Sequence, residues 1–156
     1  MKKFVNEANI KKGNITYKNN IIWQAEFGYE FFNHGTSGYP DGVTENIIFE
    51  NNICIDACRG WGSNQRPDFS TGANIILQNF MNNIIRNLII RNNILYRSNE
   101  TLLRINGDYR NNDNLDIQFY NNQYYNDNGK PVIHWVKTIY NSFNEFQRAT
   151  QINVIK

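Results

Sequence analysis

The residues of this chain whose types could do catalytic chemistry fall in two segments, 28–35 and 57–72. Glu30 lies in the first segment, and Arg66 and Asp68 lie in the second. Two carboxylates across a groove could act as general acid and general base on a glycosidic bond. A guanidinium could grip a substrate carboxylate with its planar fork. We therefore take Glu30, Arg66 and Asp68 as the candidate catalytic residues.

A second set of side chains could hold a substrate beside them. The indole of Trp61 could stack against a sugar face, and the 57–72 loop is the longest insertion of the chain. The candidate substrate-binding residues are Trp61, Gln65, His34, Arg104 and Asn74. The loop also has a local interpretation, in which Trp61 plugs a cluster of loop side chains and Arg66 pairs with Asp68 to hold the loop.

These residues must be positioned by a unit that recurs four times along the chain. The units span 14–24, 46–56, 87–97 and 116–126, and each has an alternating strand, two asparagines and a second strand. The second asparagines are Asn20, Asn52, Asn93 and Asn122, so the spacings are 32, 41 and 29 residues. Period-two alternation predicts half-buried strands, and asparagine tolerates the left-handed turn between them. We expect the asparagine amides to hydrogen-bond from one unit to the next.

A third strand fits between the units, over 28–35, 73–80, 101–107 and 131–136. Three strands per coil, stacked about 4.7–4.9 Å apart, predict an all-β fold: a right-handed parallel β-helix solenoid of about four coils. An antiparallel sandwich of short strands is the alternative, but it gives no reason for an Asn pair to recur at matching positions.

The C-terminal segment is predicted to be a helix over 137–151. Ser142 and Glu145 have capping-box spacing, and Phe143, Phe146 and Ala149 share one face. Such a helix would cap the last coil, which divides the chain into a β-helix over 1–136 and a capping helix and tail over 137–156. No comparable cap precedes Asn14, which suggests either a truncated N-terminus or a pairing partner at that end.

These units resemble the right-handed parallel β-helix proteins of the pectate-lyase-like superfamily, which act mostly on polysaccharides. The N-I-x-F-x-N-N-I unit and the terminal S-F-N-E-F-Q-R-A-T carry the resemblance. The segments YEFFNHG and FENNICIDACRGWGSNQRPD are similar to a bacterial, carbohydrate-associated group with a Gly-Trp-Gly-x-x-Gln-Arg-Pro-Asp loop. The stretch STGANIILQ has Asn74 in the region where that group would have a His, which suggests an inactive copy.

The resemblance implies that a substrate groove runs along one strand stack and the loops beside it. The third strand set is the candidate, and alternation gives it an outward row. That row is Glu30, Phe32, His34, Asn74, Gln78, Arg104, Asn106 and His134. The implied function is polysaccharide engagement, as the C-terminal part of a glycoside hydrolase or a polysaccharide lyase. A non-catalytic carbohydrate-binding β-helix and a structural, adhesin-like or tailspike-like β-helix are the alternatives.

Composition narrows the partners. A net charge of +2 without a clustered basic face argues against nucleic acid, and no apolar run approaches the length of a membrane span. Cys54 and Cys58 alone are a weak zinc pattern, no acidic cluster suits calcium, and we predict no metal or cofactor. The expected partners are a polysaccharide or oligosaccharide, with self-association through the open N-terminal end as a further candidate. Met1–Lys12 lacks the apolar stretch of an export signal, although resembling proteins are usually secreted, periplasmic or on the cell surface.

Overall fold

The computed structural model describes residues 11–34, 43–59, 72–80, 84–107 and 115–150. Strands dominate these residues, and one helix follows them. The elements are β1 (Lys11–Lys18), β2 (Ile21–Trp23), β3 (Phe27–His34), β4 (Val43–Glu50), β5 (Ile53–Ala57), β6 (Ala73–Phe80), β7 (Ile84–Arg91), β8 (Ile94–Ser98), β9 (Thr101–Gly107), β10 (Leu115–Tyr120), β11 (Gln123–Tyr125), β12 (Ile133–Trp135), β13 (Thr138–Tyr140) and α1 (Phe143–Thr150).

The strands form three sheets, and each sheet takes every third strand of the chain. The first sheet has the order β1-β4-β7-β10, the second β2-β5-β8-β11, and the third β3-β6-β9-β12-β13. All neighbouring strands are parallel except β12 and β13. The chain therefore visits the three sheets in turn four times, and we call each visit a triplet. The predicted parallel stacking of three strand sets is confirmed, and it is compatible with a β-helix.

The paired asparagines turn the chain between the first and second sheets. The first member of each pair is left-handed, with φ between 53° and 59°, at Asn19, Asn51, Asn92 and Asn121. The second members form a ladder. Asn20 Nδ2 donates to Asn52 Oδ1 at 2.9 Å, Asn52 Nδ2 to Asn93 Oδ1 at 3.2 Å, and Asn93 Nδ2 to Asn122 Oδ1 at 2.9 Å. The predicted amide ladder is confirmed.

A second ladder runs along the first sheet, where the sequence analysis predicted none. Asn46 Nδ2 donates to Asn14 Oδ1 at 3.2 Å, and Asn87 Nδ2 donates to Asn46 Oδ1 at 2.9 Å. The backbone N–H of Asn87 donates to Asp116 Oδ2 at 2.9 Å. Asn14, Asn46 and Asn87 are all left-handed, so each interrupts its strand at the same place. The recurrence of Asn as the first residue of three of the four units, with Asp116 first in the fourth, was the indication available in the sequence.

Apolar side chains from all three sheets meet in one core. The inward row of the third sheet contributes Tyr29, Ile75, Leu103 and Ile133, which all belong to the core cluster. Cys54 is fully buried in the second sheet. Close packing is visible at Gly28, where a Cβ atom would lie 2.8 Å from the Cys54 sulfur.

Helix α1 covers the C-terminal end of this core. Phe146 is fully buried, and its ring lies 6.5 Å from Phe119 and 5.0 Å from Trp135. The predicted capping role of Ser142 is confirmed by a 3.2 Å bond from the Glu145 N–H to Ser142 Oγ. This bond and the cap geometry start the helix at residue 143.

The predicted helix over 137–151 was wrong at its N-terminal side and on its packed face. Residues 138–140 instead form β13, which pairs antiparallel with β12 and completes the exposed edge of the third sheet. Val136 is left-handed with φ 53°, which turns the chain back between these strands. Ala149 is exposed, so Phe143 and Phe146 alone of the three predicted residues face the core.

Candidate functional site

Two of the predicted site residues, Glu30 and Arg104, lie in the third sheet. The strand register places Glu30, Ile76, Arg104 and His134 in one row across β3, β6, β9 and β12. Gln78 stands in the adjacent outward row, which the register aligns with Asn106. We call the Glu30–Ile76–Arg104–His134 line the outer row. It crosses the strands at right angles and therefore runs along the stacking direction of the triplets.

Glu30 is the exposed end of the outer row. Its Oε1 accepts a 2.7 Å hydrogen bond from Gln78 Nε2 on the neighbouring strand. This bond fixes one carboxylate oxygen, and the side chain remains open to solvent. The arrangement can accept hydrogen bonds from a ligand or hold a cation-bearing group.

Arg104 differs from its prediction as an exposed residue, because only 6% of its surface is accessible. Its guanidinium lies 3.4 Å from Oε2 of Glu100, which is four residues earlier in the chain. The same Glu100 oxygen accepts a 3.3 Å bond from the Gly72 N–H. Arg104 and Glu100 therefore form a fixed ion pair where the 60–71 loop rejoins the third sheet.

His134 continues the row beside Arg104 and is half-buried. Burial, together with the nearby Arg104 guanidinium, lowers the pKa of the imidazole below its ordinary value of 6.5. The ring is therefore neutral at physiological pH and can both donate and accept a hydrogen bond.

Asn74 does not lie in the exposed row in which it was predicted. It is fully buried, and its Nδ2 donates to the backbone oxygens of Cys54 at 2.8 Å and Tyr96 at 3.4 Å. These carbonyls belong to the second sheet, so the amide joins two sheets at their corner. Asn74 therefore departs from the inward–outward alternation of its strand, because its amide supplies hydrogen bonds to buried backbone carbonyls that need a donor.

Four predicted site residues lie outside the described residues: Trp61, Gln65, Arg66 and Asp68. The side chain of His34, which ends β3, lies outside them as well. Of the predicted set, the structure thus brings Glu30 and Arg104 into one row and assigns Asn74 to the interior. The roles predicted for Arg66 and Asp68 stay predictions.

The two thiols beside this corner are free and buried. Burial raises the pKa of Cys54 to about 12 and that of Cys58 to about 11. Cys58 Sγ lies 3.4 Å from the Glu26 carbonyl oxygen and 3.6 Å from Ser98 Oγ. Gly72 packs so closely against Cys58 that no larger residue fits there. Both sulfurs thus pack at the corner of the second and third sheets.

An ion-pair cluster on the second sheet was missed by the sequence analysis. Arg97 Nε lies 3.0 Å from Asp56 Oδ1, and Arg59 Nε lies 4.0 Å from the same oxygen. The Arg97 guanidinium also covers the Tyr96 ring at 4.7 Å. Asp56 and Arg97 end successive units, and opposite charges at these equivalent positions were the indication available in the sequence. Both residues are left-handed.

The described part of the chain contains no group of three or more His, Cys, Asp or Glu side chains placed to hold a metal ion. The helix among these residues is too short and polar to cross a membrane.

Comparison with protein-family models, curated proteins and solved structures gave no match. The class supported by the coordinates is therefore architectural: stacked, mostly parallel β-sheets with a C-terminal helix.

Proposed function

We propose that this chain is a right-handed parallel β-helix, similar to those of the pectate-lyase-like superfamily, that binds a polysaccharide or oligosaccharide along the outer row. The observation that carries the proposal is the row itself. Glu30, Arg104 and His134 share one line across four strands. Three inter-strand spacings give it a length of about 14 Å. Ile76 and Arg104 are buried, so a linear ligand would contact the row at its two ends, Glu30 and His134.

The chemistry of the row suits hydroxyl-rich ligands. The Glu30 carboxylate and the neutral His134 imidazole, together with the Gln78 amide of the adjacent row, offer both donors and acceptors. Gln78 holds Glu30, and Glu100 holds Arg104, so little side-chain freedom is lost when a ligand binds. The negative and positive groups balance, which favours neutral or sparsely charged sugars over a highly anionic polymer.

Catalysis on the bound glycan is proposed separately from binding. Glu30 and Asp68 would serve as the two carboxylates of a hydrolase, and Arg66 or Arg104 would neutralise charge in a lyase. Binding needs only the outer row, whereas turnover also needs the loop residues. We therefore place binding first, with hydrolase or lyase activity as its extension.

The test is a screen of the wild-type protein on neutral and uronate-containing glycans, followed by calorimetric titration of the best ligand. We expect Glu30→Gln to weaken binding by about 5–30-fold, since it removes a charged hydrogen-bond acceptor. Glu45→Gln makes the same change on the first sheet and serves as the matched control, with unchanged affinity. Absence of binding to every glycan, or equal effects of the two variants, would refute the proposal.

Turnover is followed on the same glycans by reducing ends and by unsaturated-product absorbance. Product formation that is lost in Asp68→Asn would support the enzymatic arm. Binding without turnover, weakened in Trp61→Ala, would support a non-catalytic carbohydrate-binding protein.

A structural or adhesin-like role is the second candidate, and the outward face of the second sheet favours it. Ile21 is 72% exposed, Trp23 64% and Tyr125 50%, all on this sheet. Apolar groups exposed together on one sheet face are typical of contact surfaces. Under this reading Trp23→Ser would abolish assembly or surface adhesion and leave glycan affinity unchanged.

A further inference from the structure

The N-terminal end of the stack leaves apolar core surface open to solvent. Ile15 and Tyr17 point to the core from β1, yet they are 39% and 44% exposed. Their partners in the next triplet, Ile47 and Phe49, are 4% and 1% exposed. The difference arises because β4 lies between two strands, whereas β1 borders only one of the described strands.

The C-terminal end of the same core is covered. Phe119 of β10 is fully buried although its strand is also the last of its sheet. The rings of Phe143 and Phe146 lie 6.1 Å and 6.5 Å from it. Aromatic side chains of α1 thus replace the missing triplet there, and the exposure of Ile15 and Tyr17 is specific to the N-terminal end.

Strands β1, β2 and β3 are the edges of the three sheets at this end. Each presents a row of backbone N–H and C=O groups that pairs with no described strand. Such edges bind added strands by main-chain hydrogen bonds, and side-chain pockets then select the sequence. The 8-residue β1 is long enough to hold an extended segment.

The charges beside β1 favour an acidic residue on a strand added next to it. Lys18, Glu50 and Arg91 occupy one row across β1, β4 and β7, with alternating charge. Arg91 pairs with Glu50 at 2.6 Å. Lys18 is exposed and takes part in none of the described ion pairs. An acidic side chain on an added strand would continue the alternation.

The asparagine ladders favour one direction of an added strand and asparagine at particular positions in it. In the turn ladder each asparagine donates to Oδ1 of the next triplet, as Asn20 does to Asn52. An asparagine on an added strand would therefore donate to Asn20 Oδ1. In the other ladder Asn46 donates to Asn14, so Asn14 Nδ2 would donate to an added amide or carboxylate oxygen. Both ladders keep this polarity only when the added strand is parallel to β1.

We propose that the β1 edge binds an extended segment of another polypeptide that carries the pattern Asn–apolar–x–apolar–acidic–Asn–Asn. The segment pairs in parallel with β1 and covers Ile15 and Tyr17. A second copy of this chain fits less well. A head-to-head copy would present an antiparallel strand and reverse the ladders, and a head-to-tail copy would meet α1.

The probe is a fluorescent peptide with the sequence of residues 46–53, NIIFENNI, between soluble flanks, titrated with the whole chain by anisotropy. We expect saturable binding. The peptide with lysine in place of its glutamate should bind about 3–5-fold more weakly, in line with a partly exposed ion pair. Lys18→Glu protein should reverse this preference. Lys130→Glu, the same change on a distant exposed lysine, should leave it as in the wild type.

Equal affinity for the two peptides, an unreversed preference in Lys18→Glu, or absence of saturable binding would overturn the proposal. Sedimentation of the protein alone adds a further outcome. A concentration-dependent dimer that Tyr17→Ser abolishes and that excludes the peptide would make a second copy the occupant, against the proposal. Lys18 lies outside the outer row, so its substitution should leave glycan affinity unchanged. A failure of the peptide-binding proposal can therefore be distinguished from a failure of the glycan proposal.

Discussion

The turn ladder makes Asn93 the most informative position for a stability test. Its side chain is fully buried and takes part in four hydrogen bonds. Nδ2 donates to the Phe49 carbonyl at 3.0 Å and to Asn122 Oδ1 at 2.9 Å. Oδ1 accepts from the backbone N–H of Asn52 at 2.9 Å and from its Nδ2 at 3.2 Å. Asn93→Ala would leave these buried groups without their partners.

Each such hydrogen bond contributes about 1 kcal/mol net, so we expect Asn93→Ala to lower the free energy of unfolding by about 3–4 kcal/mol. That is a large share of the roughly 5–15 kcal/mol typical of whole domains. It corresponds to a fall of roughly 10 °C in melting temperature for a chain of this size.

The adjacent Asn92 supplies the control. It is exposed and left-handed with φ 54°, and only its backbone N–H makes a described bond, to the Tyr120 carbonyl. Glycine tolerates this conformation, so Asn92→Gly should change stability by less than about 1 kcal/mol. The assay is urea unfolding followed by far-ultraviolet circular dichroism. Equal losses in the two variants, or a loss below about 1 kcal/mol in Asn93→Ala, would refute the ladder argument.

Three further predictions follow from burial. Phe146→Ala removes the ring that covers the core and should cost about 3–5 kcal/mol in urea unfolding, whereas the exposed Asn144→Ala should stay within about 0.5 kcal/mol. Cys54 and Cys58, with pKa values raised to about 12 and 11, should resist iodoacetamide at neutral pH until the chain unfolds; rapid labelling of the native protein would contradict their burial. The lowered pKa of His134 means that the unfolded chain binds the proton first as pH falls below 6.5. Stability should therefore drop through that window, and the drop should be smaller in His134→Gln.

The strand framework was accessible from the sequence because local patterning determines it. Alternating apolar residues predicted the third strand set, and the strands Ala73–Phe80 and Thr101–Gly107 coincide with the predicted ranges. The repeated asparagine pair predicted the turn and its ladder. The strands and the turn depend on residues close in sequence, and the ladder follows because the turn recurs at matching positions.

Features that depend on three-dimensional packing were missed. Asn74 was placed outward by alternation, but carbonyls of the second sheet hold it at a buried corner. The segment 138–140 has helix-like periodicity, but it forms β13 because the edge of β12 offers backbone partners. Arg104 was expected in solvent, but it is buried and paired with Glu100, a contact that strand alternation does not report.

The central claim is that the outer row of the third sheet binds a glycan, and backbone-amide NMR during a glycan titration tests it most directly. The account predicts shift changes centred on Glu30, Gln78, Arg104 and His134, which Glu30→Gln reduces in proportion to affinity. Changes centred instead on Trp23 and Tyr125 of the second sheet, or no changes with any glycan, would contradict it.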